Sequence, residues 1–277
     1  MKRIVLGAVT ALLAGCSGAG DAAPDPVGPS ARATAAVPAP VLSPPPAATA
    51  QPLAPARQVK DENAVFSFTY SYPAAAAAIP PLRVRLEADL AAAKARLRKE
   101  ATAAQAQAAL DGYPYHAWYW SQKWSVVTDL PLWLSLSAEY GNYTGGAHGM
   151  YWFGSMLWDK AARVPRDPLT LFTSKQALSA AIRAPFCAAL DQQRARKRAA
   201  QPQAGSKGEF DACIDPVKQT VIVGSRGGQG FDRIGILVPP YEAGPYAEGS
   251  YEVTVPVTAA VMKAIKPQYR ASFIRDR

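Results

Sequence analysis

The stretch from Leu132 to Trp158 constrains this chain most. Leu132, Leu134, Leu136, Ala138 and Tyr140 alternate with Trp133, Ser135, Ser137 and Glu139, the period of two of a half-buried strand. Met150–Trp158 is aromatic and apolar on both faces and reads as a more central strand. Between them, Gly141, Asn142, Gly145, Gly146 and Gly149 are placed to supply the positive φ angles of a hairpin loop. A chain built on such a hairpin has a mainly antiparallel sheet, and other segments must cover its apolar face.

Those segments are legible on either side. Phe66, Phe68, Tyr70 and Tyr72 alternate with small polar residues in an opening strand, Val65–Tyr72. Pro80-Pro81 precedes a helix over Leu82–Leu110, with Leu82, Leu86, Leu90, Ala93, Leu97, Ala101, Ala104 and Ala108 at helical spacing on one face. Gly112 and Pro114 stop it, and Tyr115–Val127 forms the next strand region, with His116 inside it. Thr173 or Ser174 caps a second helix through Arg198, whose inner stripe is Leu178, Ile182, Phe186 and Leu190. Pro185 predicts a kink or restart near Ala184. Arg194-Ala195-Arg196-Lys197-Arg198 suits the negative end of the helix dipole and reads as a solvated basic face. Lys218–Val223, Phe231–Val238 and Ser250–Val255 read as strands, the first two joined by a hairpin turn over Gly224–Gly230. Thr258 caps a short helix, Ala259–Lys266. The fold class is therefore α+β, a twisted, mainly antiparallel sheet with two long helices packed on it. We divide it into an N-terminal region, 61–172, and a C-terminal region, 173–277.

Tyr143-Thr144-Gly145-Gly146-Ala147-His148-Gly149 resembles a motif of uncharacterised envelope domains. The same domain pair forms the extracellular, lysozyme-sensing part of the anti-sigma-V factor and precedes the catalytic domain in some peptidoglycan deacetylases. Pro239-Pro240-Tyr241-Glu242-Ala243-Gly244-Pro245-Tyr246-Ala247-Glu248-Gly249 resembles that family's closing loop, and the resemblance covers roughly residues 61–270. Two family features are absent: Asp159-Lys160-Ala161-Ala162-Arg163 replaces a short D-x-x-x-G turn, and Arg166–Phe172 lacks the acidic pair before Leu171-Phe172. The resemblance implies a sensor or accessory binding module, with any enzyme elsewhere, and a lysozyme-like muramidase or peptidoglycan as the ligand class.

The first residues are a targeting segment. Lys2 and Arg3 precede an apolar run, Ile4–Leu13, too short for a permanent membrane span. Leu13-Ala14-Gly15-Cys16 resembles a bacterial lipobox, which implies a lipoprotein signal peptide over 1–15 and lipidation of Cys16; an ordinary secretory peptide with a coincidental cysteine is the alternative. Ser17 after the cysteine favours the periplasmic face of the outer membrane. Residues 16–60 are Ala/Pro-rich, including Pro44-Pro45-Pro46, and bury too little to offset ordering entropy. They read as a tether with a reach of roughly 35 Å as a coil and up to about 135 Å as polyproline II. The formal net charge is +9 and falls by two with the signal peptide. A basic envelope protein suits anionic lipid, polysaccharide or peptidoglycan; the export signal argues against nucleic acid.

With Cys16 lipidated, Cys187 and Cys213 remain, an even pair that reads as a disulfide in an oxidising compartment. Two separate buried thiols are the alternative. Two Cys and two His spread along the chain make neither a metal site nor a recognisable catalytic motif, and no cofactor is implied. A hydrolase built on His148 with Asp129 or Glu139 is the enzymatic alternative. All six tryptophans lie between Trp118 and Trp158, which suits a two-layer core or a sugar-stacking groove; Trp133 and Trp124 are the groove candidates. We expect no catalytic residues. The expected ligand-binding residues are Tyr143, Thr144 and His148 in the hairpin loop and Tyr241 and Tyr246 in the closing loop. The function expected is a lipid-anchored envelope module that binds a muramidase-like protein or cell-wall glycan. An enzyme acting on cell-wall polysaccharide, or a purely structural lipoprotein, is the alternative.

Overall fold

The computed structural model describes residues 55–198, 208 and 210–276. The signal peptide with Cys16, the tether up to residue 54, and residues 199–207, 209 and 277 lie outside them.

The larger sheet has six strands: β1 (Arg57–Glu62), β2 (Phe66–Tyr72), β3 (Trp118–Asp129), β4 (Trp133–Tyr143), β5 (Met150–Asp159) and β6 (Val164–Arg166), side by side in that order. Every neighbouring pair is antiparallel except β2 and β3. A parallel pair needs a crossover, provided here by the short α1 (Ala74–Ala77) and by α2 (Pro80–Asp111). Pro80 and Pro81 open α2 where no N–H is required, and Gly112 closes it at φ 72°. Leu82, Leu86, Leu90, Ala93, Leu97 and Ala101 of α2 pack against Phe66, Phe68, Tyr70 and Tyr72 in a first core on the inner face of the sheet. Each leucine buried there contributes about 1.5–3 kcal/mol.

β1 begins at Arg57, inside the stretch assigned to the tether. Its side chains are mostly charged and exposed, only Val59 being an apolar residue packed against the core, and Arg57 and Asp61 pair with Glu87 and Lys94 of α2. An edge strand protected by charge carries no apolar alternation, so composition conceals it.

The second core lies on the outer face. A three-stranded antiparallel sheet, β7 (Thr220–Gly224), β8 (Arg233–Val238) and β9 (Tyr251–Pro256), joins α3 (Lys175–Arg198), α4 (Ala259–Ala264) and outer-face residues of β4 and β5. Trp133 is 5% exposed, packed near Phe231 and Tyr269, and its Nε1 donates to Ser272 Oγ at 2.8 Å. Trp124 is buried in the first core. Both are core residues, Trp124 6% and Trp133 5% exposed, and neither presents its ring as an open platform. β4 is mainly apolar on its inner face, and its outer face carries Ser135, Ser137 and Glu139, yet Ser135 is also fully buried, because the second sheet covers this end of the first. β5 is next to the edge strand β6 rather than central, and only its Met156–Asp159 end is buried.

Ser174 Oγ accepts from the Ala177 N–H and caps α3. The helix runs unbroken through Pro185, without the expected restart. Pro185 faces solvent, while Ile182 and Phe186 on the opposite side are fully buried; core anchoring outweighs the lost N–H. Cys187 of α3 is disulfide-bonded to Cys213, 26 positions on. Among the described residues no helix is long and apolar enough to cross a membrane.

Candidate functional site

The β3–β4–β5 register places Tyr119 opposite Tyr143 and Gly141 opposite Tyr151, so the three tyrosines share the outer face. β4 extends to Tyr143, which leaves residues 144–149 as the loop. Of the residues expected to need positive φ, only Gly145 and Gly146 do; Gly141 and Asn142 are strand residues. Gly149 is needed for a different reason. A Cβ there would lie 2.1 Å from Tyr119 Oη and 2.8 Å from the Asn142 carbonyl oxygen, a contact with backbone that cannot relax cheaply.

The closing loop meets this hairpin. Tyr246 Oη donates to the Gly149 carbonyl at 2.8 Å, and the Tyr246 ring lies against His148 with centroids 4.1 Å apart. Tyr241 Oη is 3.3 Å from His148 Nε2, and His148 Nδ1 faces the Gly149 carbonyl at 2.8 Å. Tyr151 meets Tyr246 edge-on at 6.1 Å. Tyr143 stacks on Tyr119 at 6.3 Å and donates to the Gly146 carbonyl. The outer members stay accessible: Tyr241 is 47% exposed and Tyr119 37%. Tyr241 also holds φ 70°, a left-handed conformation uncommon for a bulky residue.

The closing loop is held from behind by the basic end of α3, where Arg194, Lys197 and Arg198 form a clamp while Arg196 stays exposed. Arg194, 4% exposed, donates to the carbonyls of Ala243 at 2.9 Å and Ala212 at 3.1 Å and to the Asp191 carboxylate at 3.0 Å. Arg198 bonds Glu248 at 2.8 Å and Asp211 at 2.7 Å. Lys197 donates to the carbonyls of Glu248 and Ser250 and sits over the Tyr251 ring. Irregular backbone next to a core leaves carbonyls without sheet partners, and the guanidinium groups supply donors. Burial acts to raise the Glu248 carboxyl, but hydrogen bonds from Arg198 and Tyr251 outweigh it, and the group lies below its usual range. Tyr251 is pushed up to about 12 by burial and by its hydrogen bond to Glu248.

Beside the loops, the uncovered outer face forms a trough of about 410 Å³, lined among others by Lys60, Ser121, Lys123 and Glu139, with Tyr119 and Tyr151 between it and the loops. His148, Tyr241 and Tyr246 are thus in direct contact, and Tyr143 adjoins them through Tyr119. Thr144 is exposed at the start of the loop and lines a cleft beside α2 instead. Tyr119 and Tyr151 were missed as site residues; their outward positions in the period-two pattern are the signal that marks them. Glu139 lies opposite Phe153, and Asp129 is ion-paired with Lys160, so neither carboxylate meets His148. His116 lies in the loop before β3, not in the strand.

The architecture defines a class: a six-stranded sheet with a crossover helix on one face and a small sheet with its own helix on the other. It is shared with the crystal structure of a DUF3298 family member from Bacteroides fragilis, at TM-score 0.50 and 16% identity over 78% of this chain and 95% of that one. A DUF3298 family protein from Pseudomonas aeruginosa aligns at TM-score 0.44 and 16% identity over 78% of this chain and 96% of that one. In sequence, residues 59–151 match the family described as "Deacetylase PdaC". The match runs from β1 through the hairpin loop into β5, and the resemblance to an envelope domain shared with deacetylases holds. No curated protein matches the chain.

Proposed function

We propose that this chain is a lipid-anchored envelope module that binds a cell-wall partner, a muramidase-like protein or a glycan, through the paired loops 143–149 and 241–249. The observation that carries the reading is the convergence of two loops far apart in sequence. They build one partly exposed aromatic patch, fixed by Tyr246 in front and Arg194 behind. Tyr and His offer contact area at little rotamer cost, as interface anchors require. The left-handed Tyr241 supports it: that conformation is uncommon for a bulky residue, and here it holds a ring that is 47% exposed at the edge of the patch. The anchor is the lipid on Cys16, at the periplasmic face of the outer membrane.

Pull-down of a muramidase and of insoluble peptidoglycan by the full-length protein tests the reading. Retention of either, weakened about ten- to hundredfold by Tyr143→Ala or Tyr241→Ala, is the expected result. Equal retention by both variants contradicts the site. Cys16→Ala is expected to release the protein from the membrane fraction and abolish palmitate labelling. Release of acetate or muropeptides by wild type, lost in His148→Ala, would instead favour an enzyme acting on cell-wall polysaccharide, the activity suggested by the name of the matching family.

A further inference from the structure

The inner face of the large sheet is only partly covered. α2 packs over β2 and β3 and against Leu134, Leu136 and Ala138 of β4, and two openings beside it, toward Tyr140 and toward Trp120, mark a groove along the helix. At one end is a cavity of about 680 Å³, bounded by Val84, Arg85 and Asp89 of α2 and by Trp124 and Tyr140. At the other is a cleft of about 290 Å³, bounded by Arg96 and Glu100 of α2 and by Trp120. From Pro81 to Glu100 the helix wall is roughly 28 Å long at 1.5 Å per residue.

The floor between these openings is aromatic. Tyr140 and Trp152 are nearly parallel, 7° apart at 5.5 Å, and Trp120 abuts both at 6.0 and 5.6 Å. All three are only half-buried. The Trp120 indole N–H, like that of the core residue Trp124, is buried with no hydrogen-bond partner. Val84 is 67% exposed at the rim. Asp89 accepts from Tyr70 Oη at 3.1 Å and Gln122 Nε2 at 2.9 Å, so its carboxylate is oriented by groups beneath it. Arg96 lies 5.1 Å from the Trp120 ring centroid. The helix wall therefore carries two cations, Arg85 and Arg96, and two anions, Asp89 and Glu100.

We propose that this groove binds a neutral, extended polysaccharide, with sugar rings stacked on Trp152, Tyr140 and Trp120 and hydroxyls held by Asp89 and Arg85. Pyranose rings present flat C–H faces that suit aromatic platforms, and oriented carboxylate and guanidinium groups match their hydroxyls. The balanced charge of the helix wall selects against polyanions. The site is independent of the loop patch, which belongs to the outer face of the sheet.

The test uses full-length protein and chitotetraose, followed by tryptophan fluorescence and calorimetry. Saturable binding with a fluorescence change is expected. Binding is expected to weaken at least tenfold in Trp152→Ala, which removes part of the platform, and in Ala88→Arg, which places a long side chain from an exposed helix position into the larger cavity. If Trp152→Ala fails to fold, Ala88→Arg decides. Absence of saturable binding to wild type overturns the proposal. So does unchanged affinity in Ala88→Arg, or loss of binding in Tyr241→Ala with groove variants unaffected, which would place the sugar at the loops. Equal or tighter binding of a sulfated tetrasaccharide overturns the neutral ligand class.

Discussion

The His148 ring lies against Tyr246 at 4.1 Å, and the Tyr246 hydroxyl holds the next carbonyl, that of Gly149, at 2.8 Å. One tyrosine thus closes both the stack and the backbone contact, whereas Tyr241 touches His148 from the solvent side. Tyr246→Ala is expected to cost about 1–3 kcal/mol of stability. Tyr241→Ala is expected to leave the melting temperature unchanged and to act on partner binding alone. Thermal denaturation of the two variants separates these roles; equal destabilisation by both would contradict them.

Arg194 is buried with its donors spent on loop carbonyls. Arg194→Ala leaves those acceptors unpaired and is expected to destabilise by about 2–4 kcal/mol. Arg194→Lys is expected to recover little, because an ammonium cannot reproduce the planar fork. Urea unfolding of the two variants measures the difference.

The Cys187–Cys213 bond ties α3 to the segment ahead of β7. Removing both cysteines by substitution with alanine is expected to cost roughly 3 kcal/mol. Thiol alkylation of unfolded, unreduced protein is expected to label neither Cys187 nor Cys213.

The Glu248 carboxyl lies below its ordinary value of 4.5 in the folded protein. A lowered folded-state pKa means that the unfolded chain takes up the proton first. Its contribution to stability is therefore complete above the unfolded-state value and is lost as pH falls through the lower folded-state value. Wild type is expected to lose stability below about pH 4.5, and Glu248→Gln to lose less over that range, since 4.5 is the ordinary value at which the effect begins. Melting temperatures from pH 7 to 3 test the sign.

Trp133 fills the second core, on the outer face of the sheet. Trp133→Ala is expected to destabilise by about 3–5 kcal/mol. A surface groove residue would show almost no such loss.

Local patterns in the sequence determined the elements of this protein. The aromatic alternation of Phe66–Tyr72, the leucine stripe of α2, the caps of α3 and α4 and the glycine turn before β8 each depend on neighbours a few residues away, and each appears as expected. The cysteine pair and the two loops of the candidate site were also legible. Only the tertiary structure decided which face meets what. Trp133 and Ser135 look solvent-facing by alternation, yet a second sheet from about ninety residues further along buries them. Arg194–Arg198 looks like an ordinary solvated helix end, yet the carbonyls of the closing loop come to it. Tyr119 and Tyr151 join the site through strand register, and His148 finds Tyr246 across 98 positions of chain. Periodicity reports a side chain's direction relative to its own element; burial and partnership depend on non-local packing, which no local pattern encodes.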